Sequence, residues 1–253
     1  MDRMIHTALN SMNNLAQLQK VNAQNLTNMS VPGFRKDLWG QSGTGYLQAG
    51  NSPSTRAFAL TTGKSEFSKQ NGVMDPTGND TDVAIMDDGW FLVQPPDGSP
   101  PALSRRGDLS LNADSVLING SNEIVLSDGM APIQVPPYRE IQITGIGEIL
   151  VSPLTAEAGQ FVSIGFIGTT TAAGIELRKG ADARIRAEDG TIPEPDQLAH
   201  LQQGMLEGSN VNAVEELVYT IELQRRFEMS VKFIESARQI DEAAAQIMRI
   251  AQE

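Results

Sequence analysis

Two histidines, His6 and His200, and no cysteine set the limits of the chemistry this chain offers. They fall on predicted helical segments at opposite ends of the sequence, so neither a histidine metal cluster nor a Ser-His-Asp site can be assembled from neighbours. Disulfides, thiol nucleophiles and thiolate metal sites are excluded outright. No Gly-x-Ser-x-Gly elbow and no Walker loop occurs. TGIGE (144–148) has two glycines but lacks phosphate-loop spacing and a following helix, and it reads as a hairpin turn. Paired carboxylates are what glycoside hydrolysis needs, and 31 acids supply many pairs. Asp87-Asp88-Gly89 is the candidate, yet it lies between two strand-like runs where turn chemistry explains acids and glycine. NDTD (79–82) offers oxygen ligands for calcium without the twelve-residue EF-hand spacing. No catalytic residue, cofactor or metal is therefore expected. A glycan-binding or glycan-hydrolysing β domain stays open as the alternative class.

The formal net charge is −12, unevenly spread. Residues 1–36 hold Arg3, Lys20, Arg35 and Lys36 against Asp2 alone, a local +3, whereas residues 71–170 hold thirteen acids against Arg105, Arg106 and Arg139. Such an acidic surface repels phosphate backbones, which excludes nucleic acid as a partner. The 40% hydrophobic and 20% charged composition is that of a folded chain. No apolar run reaches the roughly 18 to 20 residues of a membrane span. The start, MDRMIHTALNSMNNLAQ, lacks the basic and then apolar pattern of a cleaved signal peptide.

Several elements follow from hydropathy. Ile5, Ala8, Met12 and Leu15 step by 3, 4 and 3, and Leu26 and Met29 continue the stripe beyond polar Gln19 and Asn22. This predicts an N-terminal helix with a partly polar seam, as in coiled coils where a buried Asn fixes register. At the other end Phe233, Ala237, Ile240, Ala244, Ile247 and Ala251 form a heptad seam, extended upstream by Val214, Leu217, Val218 and Ile221. Asn212 followed by Glu215 has capping-box spacing and predicts a helix beginning at Ala213. Between them, residues 37–75 show little periodicity and read as an extended connector with short strands at 57–61 and near Glu66. From about Asp82 to Glu188, short apolar runs such as WFLVQ (90–94), EIQIT (140–144) and EILVS (148–152) alternate with turn signals, giving about ten antiparallel strands.

The expected fold is α+β. Paired coiled-coil-like terminal helices (1–36 and 213–253) flank an extended connector (37–75), a central all-β antiparallel domain (76–190) and a return connector (191–212). At about 1.5 Å per residue the first helix is roughly 40 Å long and the last nearer 60 Å, so one cannot cover the other. Uncovered seam needs another protein surface.

Three stretches together resemble the axial family of the bacterial flagellum. NAQNLTNMSVPGFRKD (22–37) is similar to its Asn-Asn-Leu-Ala-Asn core and Thr-Pro-Gly-Phe-Lys turn, matching at Asn25, Leu26, Asn28, Pro32, Gly33 and Phe34 and departing at Gln24, Thr27 and Arg35. TDVAIMDDGWFLVQ (81–94) with SRRGDLSLNADSVLIN (104–119) resembles the central blocks of rod and hook proteins. QQGMLEGSNVNAVEELVYTIELQRRFEMSVKFI (202–234) resembles their C-terminal block at Gly204, Leu206, Glu207, Ser209, Asn210, Val211, Glu215, Glu216, Gln224, Arg225 and Glu228. The opening MDRMIHTALNSM with PGFRKDL is most similar to proximal-rod members, with distal rod or hook subunits as the runner-up.

The resemblance implies a structural subunit of a tubular shaft that transmits motor torque. It also implies export by the flagellar type III apparatus and a place in the periplasm-spanning basal body. Its implied partners are other copies, proximal and distal rod proteins and the export apparatus, with no small-molecule substrate. The residues expected at assembly interfaces are Ile5, Met12, Leu15, Asn25, Leu26, Asn28, Pro32, Gly33, Phe34, Gly204, Leu206, Glu207, Ser209, Asn210, Val211, Glu215, Gln224, Arg225, Phe233, Ile240 and Ile247.

Overall fold

A computed structural model describes residues 2–39, 41–48, 55–62, 66–154, 159–180 and 182–250. The chain forms two compact units: residues 1–27, 37–66 and 212–253 make the first, and residues 28–36 and 67–211 the second.

The first unit holds two helices, α1 (Asp2–Thr27) and α2 (Ala213–Ile250), packed on each other. Asn212 caps α2: its Oδ1 accepts from the Val214 amide at 3.0 Å while its Nδ2 reaches Glu215 Oε1 at 3.3 Å. Ala8, Leu15 and Asn22 are buried on α1, and Glu216, Leu223 and Ala237 on α2. The register is set by polar groups. Asn22 Nδ2 donates to Glu216 Oε2 at 2.6 Å, and Asn22 Oδ1 accepts from Thr220 Oγ1 at 2.6 Å. Neither buried side chain is left unsatisfied, which is the condition for a polar group in a seam to specify register. Asn25 closes the end of α1 by exchanging hydrogen bonds with the Asp37 backbone at 2.8 and 3.1 Å.

The second unit is all β. An eight-stranded sheet is centred on the strand Trp90–Gln94, which pairs with Ala102–Ser104, Ile124–Val125 and Thr169–Thr170. That strand is buried on both faces, which is why WFLVQ lacks polar alternation. Phe91 and Val93 enter a large core with Val83, Ile85, Ile149, Val151 and Ile167. Trp90 and Leu92 enter a smaller one with Phe67, Leu103, Leu126 and Ile185. A three-stranded sheet, Tyr138–Ile143, Glu148–Pro153 and Val162–Phe166, contributes to the large core. TGIGE turns the first of these strands into the second, with Gly147 at φ +85°. Two late strands return to early ones: Leu201–Gln203 pairs with Val83–Ile85, and Met205–Glu207 with Met74–Pro76.

The expected fold class needs correction. Two helices and nineteen strands occur among the described residues, and a central all-β domain is present, but the stretch read as an extended connector is not one. Residues 41–48 and 55–62 form a hairpin in continuous register from Gln41↔Thr62 to Gln48↔Thr55. QSGTGYLQ conceals it, because glycine and small polar residues carry no alternation. The seam of α2 is also displaced. The side that is buried or half-buried steps through Glu216, Thr220, Leu223, Phe227, Ser230, Ile234 and Ala237, a heptad pattern of its own. Phe233 and Ile240 of the expected seam are 47% and 58% exposed. Both stripes pass through Ala237, and hydropathy favoured the more apolar one. Asn22 selects the other by pairing with polar groups.

Candidate functional site

The second unit is closed by a buried polar clasp that joins its chain ends, residues 28–36, 67–73 and 204–211. Pro32 ends the helical path and Gly33 reverses the chain at φ +67°. A Cβ at Gly33 would stand 2.3 Å from the Arg105 carbonyl carbon, so this close passage admits only glycine. The Gly33 amide donates to the Glu207 carbonyl at 2.7 Å. Phe34 then lies under Lys179, whose Nζ is 4.0 Å from the ring centroid and donates to the Arg35 carbonyl at 3.0 Å.

Arg35, 3% exposed, is the first arm of the clasp. Its Nη2 contacts Asn71 Oδ1 at 2.9 Å and Glu207 Oε1 at 3.0 Å, and its Nη1 donates to the Gln70 carbonyl. Arg105, 2% exposed, is the second. It donates from Nη1 to the Asp87 and Gly89 carbonyls, each at 2.6 Å, from Nη2 to Asn71 Oδ1 at 3.0 Å, and lies with Nε 2.8 Å from Glu207 Oε2. Both guanidinium carbons lie over the Trp90 ring, 5.6 and 5.7 Å from its centroid. Burial lowers the pKa of both arginines, while the Glu207 carboxylate and, less strongly, exposed Asp88 oppose that shift.

Glu207 is therefore one buried carboxylate serving two buried guanidiniums. Its Oε1 also accepts the Gly72 amide at 2.8 Å. Three residues later, Asn210 repeats the function with neutral groups. Its Oδ1 accepts the Lys36 amide at 2.7 Å, its Nδ2 donates to the Gln70 carbonyl at 2.7 Å, and its own amide reaches the Phe34 carbonyl at 3.3 Å. A Cβ at Gly72 would meet the Gly208 carbonyl oxygen at 1.9 Å, which shows how closely the two chain segments pass.

The structure thus brings Gly33, Phe34, Glu207 and Asn210 together from opposite ends of the sequence. Pro32, Gly204, Leu206, Ser209 and Val211 lie in the same chain segments. In the first unit, Leu15 and Asn25 are buried and Met12 and Leu26 half-buried; Asn28 is half-buried in the second. Glu215, Gln224 and Arg225 are exposed on α2, with Phe233 and Ile240. The side chains of Ile5 and Ile247 lie outside the described residues. The expected list omits Arg35, Asn71, Trp90 and Arg105, which carry most of the clasp. Arg35 was legible only as a departure from the flagellar motif. Thr220 and Leu223 of α2 are missed likewise, because helical spacing alone does not say which of two stripes is inward, whereas Asn22 lies on the stripe expected for α1.

The apolar residues Val214, Leu217, Val218 and Ile221 lie on the uncovered side of α2, 70%, 55%, 62% and 67% exposed. A groove of 540 Å³ between α1 and α2 is lined by Ala8, Leu15, Leu18, Met229 and Phe233, among others. His200 Nδ1 stands 2.9 Å from Asp87 Oδ2 at the surface. That pair ties the Asp87 turn to the strand beginning at Leu201. No group of three or more metal-ligating side chains occurs among the described residues.

Residues 202–247 match the family model for the C-terminal region of flagellar basal body rod FlgEFG proteins. The chain is 33% identical to the flagellar basal-body rod protein FlgF of Escherichia coli K12, over 93% of this chain and 94% of that one. It is 31% identical to FlgF of Salmonella typhimurium, over 99% and 100%. FlgG of Agrobacterium fabrum is 31% identical over 66% of this chain and 64% of its own. The chain belongs to the family of flagellar basal-body rod proteins, with the FlgF proteins, and is a structural subunit of that rod.

Proposed function

We propose that this subunit builds the proximal part of the rod. Its terminal helices pack with those of neighbouring copies and of other rod proteins into an inner wall that transmits torque toward the distal rod and hook. The observation that carries this reading is the stripe Val214, Leu217, Val218 and Ile221, exposed along one side of α2. These positions follow the i, i+3, i+4, i+7 spacing of a helix face that docks on another helix. Burying each would contribute about 1.5 to 3 kcal/mol to assembly.

In this reading the protein catalyses nothing and holds no cofactor; its residues serve packing and the clasp. It reaches the basal body through the flagellar export apparatus. The interface residues are those of the two helices, the Pro32-Gly33-Phe34 turn and the segment from Gly204 to Val211. The test is location: the chain carrying a small epitope is traced by gold labelling in isolated basal bodies. Label confined to the motor-proximal rod segment supports the proposal. Label on the distal rod or hook assigns it to the runner-up position, and turnover of cell-wall glycan by the purified chain overturns the non-catalytic reading.

A further inference from the structure

The sequence contains two Asn-Gly steps, Asn71-Gly72 and Asn119-Gly120. Such a step is open to cyclisation because glycine places no side chain in the way when its own nitrogen attacks the asparagine carboxamide. The surroundings of the two differ. Asn119 is buried; its Oδ1 accepts from the Ser121 and Glu123 amides, both at 3.0 Å, and its Nδ2 donates to Glu123 Oε2 at 2.9 Å. Asn71 is exposed, and its Oδ1 receives a guanidinium N–H from Arg35 Nη2 at 2.9 Å and another from Arg105 Nη2 at 3.0 Å. The following amide, Gly72 N–H, donates to Glu207 Oε1 at 2.8 Å.

These are the parts of an acyl-transfer site. Two fixed cationic donors sit where negative charge develops on a carbonyl oxygen, and a carboxylate holds the proton of the nucleophile. We propose that Asn71 is a self-processed modification site, at which the folded clasp converts asparagine to aspartate. Gly72 N attacks Asn71 Cγ as its proton passes to Glu207 Oε1, and the two guanidiniums hold the oxyanion on Oδ1. On collapse the Cγ–Nδ2 bond breaks, Glu207 returns the proton to the leaving nitrogen, and ammonia departs from a succinimide. Water then adds at Cγ, the carbonyl the arginines polarise. The bond from Cγ to Gly72 N breaks, that nitrogen recovers a proton, and the main chain keeps its α linkage. Water is the only co-reactant.

The charges already present favour the product. Two buried guanidiniums face a single buried carboxylate, and a second one at position 71 gives each its own counter-charge. The glycine that permits the reaction is required for another reason, the approach of Gly208.

The test follows positions 71 and 119 in the full chain by peptide-mapping mass spectrometry, during incubation at neutral and mildly alkaline pH, folded and in denaturant. The expected result is conversion at position 71 about tenfold or more faster in the folded chain than in the denatured one, with aspartate exceeding isoaspartate. Position 119 is expected to slow on folding. Equal or slower conversion at position 71 in the folded chain overturns the proposal. Asn71→Asp, made directly, gives a second readout: a urea midpoint above that of freshly purified protein supports the proposal, and one below it overturns it.

Discussion

Replacing Glu207 by glutamine keeps the side chain's shape and removes its charge. In the native clasp the carboxylate lies 3.0 Å from Arg35 Nη2 and 2.8 Å from Arg105 Nε, with all three side chains only 1–2% exposed. Solvent therefore does not screen the pair. The amide would leave two buried guanidiniums without their buried counter-charge and turn an N–H donor toward one of them. Breaking a buried pair in this way costs about 3–5 kcal/mol, a large share of the roughly 5–15 kcal/mol that holds a domain folded. The assay is urea unfolding of freshly purified protein in a Trp39→Phe background, which leaves Trp90, lying under both guanidiniums, as the fluorophore. A loss below about 1 kcal/mol, the size of an exposed ion pair, would refute the clasp as a stabilising element.

Four other outcomes follow from the structure. Gly33→Ala combines a positive φ with a Cβ 2.3 Å from the Arg105 backbone, and it should destabilise the second unit by about 2 kcal/mol or more, read by the same denaturation. Leu223→Ala, at a fully buried site, should lower the stability of the helical unit by about 2–5 kcal/mol in far-UV circular dichroism melts. Ile221→Ala, two positions away and 67% exposed, should change that stability by less than about 0.5 kcal/mol. Asp196 is held below the ordinary carboxylate range: burial opposes this, but hydrogen bonds from the Thr171 amide and hydroxyl outweigh it. Its contribution is present above the unfolded carboxylate pKa of about 3.9 and is lost as pH falls through the lower folded value. Thr171→Val should therefore flatten the acid limb of stability against pH, and an unchanged limb below about pH 4 would contradict this.

How much of this was legible depended on whether the information was local. WFLVQ announced a strand, and the Asn212–Glu215 spacing coincides with the observed start of α2. The polar positions of the N-terminal stripe pointed to a specified register, and Asn22 supplies it through Glu216 and Thr220. Of the paired strands 41–48 and 55–62 only the second was legible, as the short strand at 57–61; the first was not, since QSGTGYLQ shows no alternation. The α2 seam was misassigned because two heptad stripes share Ala237, and the polar one wins through partners on another helix. The clasp was legible only at Gly33, Phe34, Glu207 and Asn210, through the motifs that carry the resemblance, and not as an ion cluster. Arg35, Asn71, Arg105 and Glu207 come from four separate stretches and meet only in the folded unit.

In the proposed assembly the uncovered apolar stripe of α2 belongs to the rod's own packing and not to the fold of the single chain. The direct measurement is incorporation of a Val218→Asp, Ile221→Asp double variant into basal bodies, quantified against wild type in cells lacking the native subunit. Purified, the variant should match wild type in urea midpoint, because both side chains are exposed. In cells the variant should be absent from isolated rods, and those cells should not swim. Incorporation at wild-type levels would contradict this role of the stripe.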